Sequence, residues 1–217
     1  MQRIIIFIFI LTTHFSMSQN KKVIKYLALG DSYTIGESVS EADRWPNQLA
    51  KALNEKGYQV EKPRIIATTG WRTDNLKNAM NIAQLKPEYN MVSLLIGVNN
   101  QYQHKPVDQF AKEFEDLLSD AVQLAGGKKE NVFVVSIPDY GFTPFGKPKQ
   151  EQISKELKEF NELSKQITEK HKIIYVNITD ISMDGLQKPE LVAEDGLHPS
   201  GKMYALWVER ILSSLKK

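Results

Sequence analysis

VIKYLALGDSYTIGE, residues 23–37, runs a nearly continuous apolar stretch straight into a loop of Gly, Asp, Ser and Thr. A short apolar run without alternation fits a strand covered on both faces, the kind that makes a parallel sheet. Four more runs share its character: RIIATT (64–69), MVSLLIG (91–97), NVFVVSI (131–137) and KIIYVNI (172–178). Helical spacing separates them. WPNQLAKALNEKG (45–57) sets Leu49 four residues before Leu53 and ends on Gly57, a C-cap candidate. Residues 107–127 align Phe110, Phe114, Leu117, Leu118, Ala121 and Leu124, and close on Gly126-Gly127. Residues 151–171 repeat the pattern with Ile153, Leu157, Phe160, Leu163 and Ile167, and a last helix covers roughly 200–215. Strand and helix alternate five times without a linker or repeat. The expected product is a three-layer α/β domain, a five-stranded parallel sheet between helices.

The first residues do not read as part of that domain. Arg3 precedes an apolar run from Ile4 to Leu11, and Ser16-Met17-Ser18 follows as a small-x-small signal. This is the anatomy of a signal peptide over 1–18, too short in its apolar part to span a bilayer, with an uncleaved anchor as the alternative. The domain is then 19–217, and the protein is expected to be exported to the periplasm or the exterior. Loss of Arg3 takes the net charge from +2 to +1, and 199 of the 217 residues remain, enough for one sizeable core. A near-neutral chain with no basic cluster offers no electrostatic reason to expect nucleic acid. There is no Cys, so thiol nucleophiles, disulfides and Cys-ligated metals are excluded. No stable membrane span is expected once 1–18 is removed.

Two stretches resist regular structure, 137–150 with three prolines and 179–200, and loops of that length are usually functional or disordered. In open parallel sheets ligands bind at the carboxyl ends of the strands, which singles out the polar residues just after each run. Ser32 follows the first, Gly70 the second, Asn99 and Asn100 the third. Ser32 alone is equally well a turn residue. A serine attacks only when a base takes its proton, and histidine is the usual base. His14 leaves with the signal peptide, His171 falls toward the amino edge of the sheet, and His104 stays open as a candidate. His198 has Asp195 three residues before it, the spacing of a carboxylate that orients an imidazole; a plain turn at Asp195-Gly196 explains the same residues. Backbone N–H groups of Ser32 and Gly70, with the Asn99 amide, can supply an oxyanion with donors. A strand order of 2-1-3-4-5 makes those three loops neighbours.

GDSYTIGE (30–37), TTGW (68–71), GVNN (97–100) and DGLH (195–198) together resemble the four sequence blocks of the SGNH, or GDSL-type, hydrolases. The blocks stand in order over nearly the whole domain. The resemblance implies a flavodoxin-like fold and ester hydrolysis by a Ser-His-Asp set without cofactor or metal. Ser32 would be the nucleophile, His198 the base and Asp195 its orienter, with Ser32, Gly70 and Asn99 forming the oxyanion hole. Asn100 stands where the family commonly has Asp, which touches a supporting contact rather than the chemistry.

Rival readings are a secreted binding module that has lost catalysis, a phosphate-cradling GDSYTIG loop, and a metal site of Asp184, Glu194, Asp195 and His198. The chain lacks GxGxxG and GxxxxGK[ST], and a lone His among carboxylates suits solvated loops better than a metal. Trp71, Asn100, Tyr140, Phe142 and Phe145 are expected near the substrate, a small-molecule ester. Lysophospholipids, short-chain esters and O-acetylated glycans all remain open.

Overall fold

The structure is a computed structural model and describes residues 23–215; the stretch 1–18 expected as a signal peptide lies outside them. Five strands form one parallel sheet: β1 (Tyr26–Gly30), β2 (Arg64–Ala67), β3 (Met91–Leu95), β4 (Val132–Val135) and β5 (Ile174–Val176), in the order β2-β1-β3-β4-β5. β1 pairs on one side with β2, Leu27 opposite Arg64, and on the other with β3, Ala28 opposite Ser93. All five β1 residues are buried, which is why this strand reads as an unbroken apolar run. The observed strands are shorter than the runs that announce them, because the polar ends peel away into the loops.

Among the described residues eight α-helical segments accompany the strands: α1 (Ser32–Ile35), α2 (Trp45–Glu55), α3 (Thr73–Ile82), α4 (Val98–Tyr102), α5 (Val107–Leu124) and α6 (Gln150–Lys170) between them, and α7 (Thr179–Ser182) and α8 (Gly201–Leu215) after β5. α2 packs on α8 over one face of the sheet, while α3, α5 and α6 pack together over the other. On the first face Tyr26, Trp45 and Phe133 meet ring to ring at 6.4–6.5 Å. On the second, Phe110 lies 4.7 Å from Phe160 and 5.5 Å from Phe114, ring centre to ring centre. Each such buried ring contributes about 1.5–3 kcal/mol from apolar surface removed from water.

α6 departs from the simple apolar stripe. Its front half buries Ile153, Leu157 and Phe160, but the rear half turns Ser164 and Thr168 inward and leaves Leu163 and Ile167 half-buried. The hydroxyls are tolerated because Thr168 Oγ1 donates to Ser164 O at 2.6 Å and Ser164 Oγ to Asn161 O at 3.1 Å, so neither of these two is left unpaired.

Two glycines let the strand ends turn into the site. A Cβ on Gly30 would stand 2.5 Å from the Leu95 carbonyl, so β1 can approach the end of β3 only without one. Gly97 has φ +126°, and a Cβ there would lie 2.6 Å from Phe110 in the packed core. Gly97 is also the N-cap of α4, and so aims the two asparagines that follow. Among the described residues no helix is long and apolar enough to cross a membrane.

Candidate active site

Ser32 opens α1, two residues past the end of β1, with Asp31 between them as the N-cap. Asp31 Oδ1 accepts the Tyr33 N–H at 3.1 Å, while Oδ2 is buried without a hydrogen-bond partner among the described residues. Burial pushes this carboxyl up to about 7, against the opposing effect of its backbone hydrogen bonds. The native state therefore keeps the Asp31 proton over the range from the ordinary carboxyl value to about 7, where the unfolded chain has released it. Stability from this group is fully present below pH 4 or so and lost as pH rises through about 7. Asp31→Asn keeps the acceptor for Tyr33 but cannot ionise. Its urea midpoint is expected to exceed that of the parent at pH 8 and to vary less between pH 4 and 8; a midpoint lower at pH 8 than at pH 4 by the parent's own margin would exclude this role.

Asp195 and His198 sit on the loop before α8. Asp195 Oδ1 accepts the backbone N–H groups of Leu197 and His198, each at 2.9 Å. Asp195 Oδ2 lies 2.6 Å from His198 Nδ1 and 2.6 Å from Ser38 Oγ. Partial burial alone would raise this carboxyl, but the side-chain bonds from Ser38 and His198 and the two backbone donors outweigh it and hold it well below the usual carboxylate range. An ionised carboxylate only accepts, so Nδ1 carries the hydrogen and the neutral ring offers Nε2 as its acceptor. The edge-to-face ring of Tyr33, 5.7 Å away, holds the imidazole from the other side, and Trp207 backs Tyr33 at 6.4 Å.

Ser32, Gly70, Asn99 and His198 line one cavity of about 290 Å³. Ser32 and His198 share it without a direct Oγ to Nε2 hydrogen bond, a contact that in empty sites is often long until substrate arrives. Asn99 Nδ2 donates to the Trp71 carbonyl at 3.0 Å, which fixes the amide plane and uses one of its two hydrogens. Nothing stands within 4 Å of the Cβ position of Gly70, so the backbone there is open to the cavity. Apart from Thr69, the rest of the wall is apolar and aromatic: Tyr33, Val98, Tyr102, Tyr140, Phe145 and Leu197. Phe145 N donates to Gly196 O at 3.0 Å, tying the 137–150 loop to the loop of Asp195.

Three residues expected near the substrate stand elsewhere. Asn100 is 1% exposed and turned away from the cavity. Its Oδ1 accepts the Thr73 N–H at 3.1 Å and its Nδ2 donates to Thr73 Oγ1 at 2.7 Å, so it pins the start of α3 to α4. The Thr73 hydroxyl donates its own hydrogen to Glu113 and so accepts from Asn100; an amide serves that acceptor and the Thr73 N–H together, where a carboxylate would serve only the N–H. Trp71 contributes its carbonyl and packs its ring against the core, and Phe142 is half-buried outside the cavity. Of the other histidines, His171 pairs with Glu115 at 2.8 Å and His104 is exposed beyond α4; neither lines the cavity. Asp184 pairs with Lys188 at 2.7 Å. Tyr33, Tyr102 and Ser38 carry no sequence signal of their own. Tyr33 sits inside the GDSY block, and only the three-dimensional contact with His198 gives it a role.

The chain matches the model of the GDSL-like lipase/acylhydrolase family over residues 28–206. No curated protein sequence matches it. Among solved structures, it resembles the psychrotrophic esterase EstA from Pseudoalteromonas sp., at 18% identity and TM-score 0.68, covering 88% of this chain and 96% of that one. A lipase/acylhydrolase from Enterococcus faecalis aligns at 20% identity and TM-score 0.70, over 89% of this chain and 95% of that one. An acetylxylan esterase from Geobacillus stearothermophilus aligns at 18% identity and TM-score 0.68, over 89% and 94%. At such identities these likenesses speak for the fold alone.

Proposed function

The chain belongs to the GDSL-like lipase/acylhydrolase family, and from that premise we propose that it hydrolyses short-chain carboxylic esters with Ser32 as nucleophile, His198 as base and Asp195 as orienter. The observation that carries this reading is the shared cavity. Ser32, His198 and the donors at Gly70 and Asn99 line one wall of it, and His198 is held from behind by Asp195. In the reaction His198 Nε2 takes the proton of Ser32 Oγ as the oxygen bonds to the carbonyl carbon. The carbonyl electrons pass to oxygen, where the N–H groups of Ser32 and Gly70 and the free hydrogen of the Asn99 amide receive the charge. Collapse breaks the carbon–oxygen bond to the alcohol, which leaves with the proton from His198. Water then repeats the sequence on the acyl-serine and frees the acid.

The cavity favours a small acyl group. Its 290 Å³ lies at the lower end of ligand pockets, which hold about 300–1,000 Å³, and aromatic rings close it. The alcohol part then rests on the rim, where Tyr102 and Phe145 are half-exposed with ring centres 6.3 Å apart. That rim favours a second, narrower reading, an O-acetyl esterase of glycans, because a sugar ring can lie on exposed aromatic faces. A series of p-nitrophenyl esters from acetyl to palmitoyl, beside an acetylated xylo-oligosaccharide and a lysophospholipid, tests both. The expected kcat/KM peaks between acetyl and butyryl; a peak at ten carbons or more would replace the reading with a lipid one. No turnover of any member, with Ser32 unlabelled by a fluorophosphonate, would favour a binding module.

The segment 1–18 supports export as part of the same proposal. Protein recovered outside the cytoplasm of an expressing bacterium is expected to begin at Gln19 on N-terminal sequencing; an intact Met1 there would leave an uncleaved anchor.

A further inference from the structure

Ser38 is exposed and lies outside the cavity, yet its hydroxyl reaches Asp195 Oδ2 at 2.6 Å across 157 positions of sequence. Among the described residues four non-glycines have positive φ: Ser38 at +65°, Gln84, His104 and Lys172. The last three each follow the C-cap of a helix, Ala83 after α3, Gln103 after α4 and His171 after α6, where a left-handed residue ends the helix. Ser38 instead stands third in a turn closed by Val39 N donating to Gly36 O at 3.4 Å, a place that takes a left-handed residue. α1 is already ended by Gly36, itself left-handed at φ +70°, two residues earlier. A glycine would serve that turn with less strain, so what a serine adds there is its hydroxyl.

What the side chain does is complete the hold on a carboxylate that stands partly in solvent, its side chain 30% exposed. The Leu197 and His198 amides anchor Oδ1. Oδ2 is shared by the imidazole and the Ser38 hydroxyl, so the hydroxyl is the remaining restraint on the plane of the carboxylate other than the ring it has to orient. In the same turn Glu37 accepts a hydrogen bond from Thr69, next to Gly70, so neighbouring residues of one loop reach the acid and the oxyanion side of the cavity.

We infer that Ser38 is a positioning residue for the proposed hydrolysis, holding Asp195 so that His198 is set in line with Ser32; the inference rests on the catalytic reading of those three residues. Ser38→Gly separates this role from a structural one, because it removes the hydroxyl and at the same time relieves the backbone. A loop tether alone would leave turnover unchanged. The expected result is a kcat for p-nitrophenyl acetate lower by roughly ten- to hundredfold, with KM nearly unchanged and the urea midpoint no lower than the parent's. In an Asp195→Ala background the same change is expected to be silent, since the hydroxyl acts through that carboxylate. Parent-like kcat in Ser38→Gly, or a full further loss in the Asp195→Ala background, would overturn the inference while leaving the esterase reading intact. If the parent hydrolyses no ester, the esterase reading fails on its own. The low-field proton resonance of the His198 Nδ1–H then decides, being expected to move in Ser38→Gly; a resonance left in place overturns the inference.

Discussion

Ser32→Ala is expected to lower kcat for p-nitrophenyl acetate by about 10⁴-fold or more, leaving the fold intact. The size follows from the mechanism: without Oγ there is no acyl-serine, and what remains is water attacking an ester held near three hydrogen-bond donors. Little should happen to stability. The Ser32 hydroxyl makes no hydrogen bond that shapes α1, which is capped by Asp31 through the Tyr33 N–H. Circular dichroism and the urea midpoint check the fold, and initial rates corrected for spontaneous hydrolysis check the chemistry. A loss of less than tenfold would remove Ser32 from the role of nucleophile.

His198→Ala is expected to cost a similar factor, and the Ser32→Ala/His198→Ala pair hardly more than either alone. Groups that act in one proton transfer fail together, so their losses do not multiply. If the pair instead loses the product of the single effects, the two residues are working independently and the shared step is wrong. Here some stability should go as well, because the imidazole fills a place against Tyr33 and is 8% exposed. The kinetic comparison therefore has to be made below the unfolding transition of the variant.

The sheet was readable from the chain because its strands are short and rich in apolar residues, and β1, β3 and β4 are covered on both faces, so burial left its mark in composition; the edge strands β2 and β5 are only half-buried. The same holds for α5, whose buried Phe110, Phe114, Leu117, Leu118 and Ala121 follow the helical period. α3 is harder to see, since it buries only Leu76, Met80 and Thr73 and carries polar residues elsewhere. Both long loops carry short helical turns, at Tyr140–Phe142, Lys147–Lys149, α7 and Pro189–Leu191, too brief to leave a period. At the site, residue type and strand-end position mark Ser32, Gly70 and Asn99, because polar groups just past apolar runs are conspicuous, while Asp195 and His198 are marked by their three-residue spacing. They cannot tell which way a side chain points. Asn99 and Asn100 are adjacent, yet one faces the cavity and the other the start of α3. The aromatic loop residues divide in the same way, with Tyr140 and Phe145 in the wall and Phe142 outside it. Ser38 is an ordinary surface serine until the fold brings Asp195 to it.

The loop that carries Asp195 and His198 lies just ahead of α8, which docks on α2 with Gln48 Nε2 donating to Gly201 O at 3.0 Å. Ser32, the proposed nucleophile, stands by contrast within the first strand-loop unit of the domain. On the proposed mechanism a growing chain holds Ser32, Gly70 and Asn99 long before it holds His198, and is expected to stay inert toward esters until the segment after β5 settles. Regain of turnover during refolding is accordingly a clock for that last docking event, slower than or equal to any signal from the sheet itself.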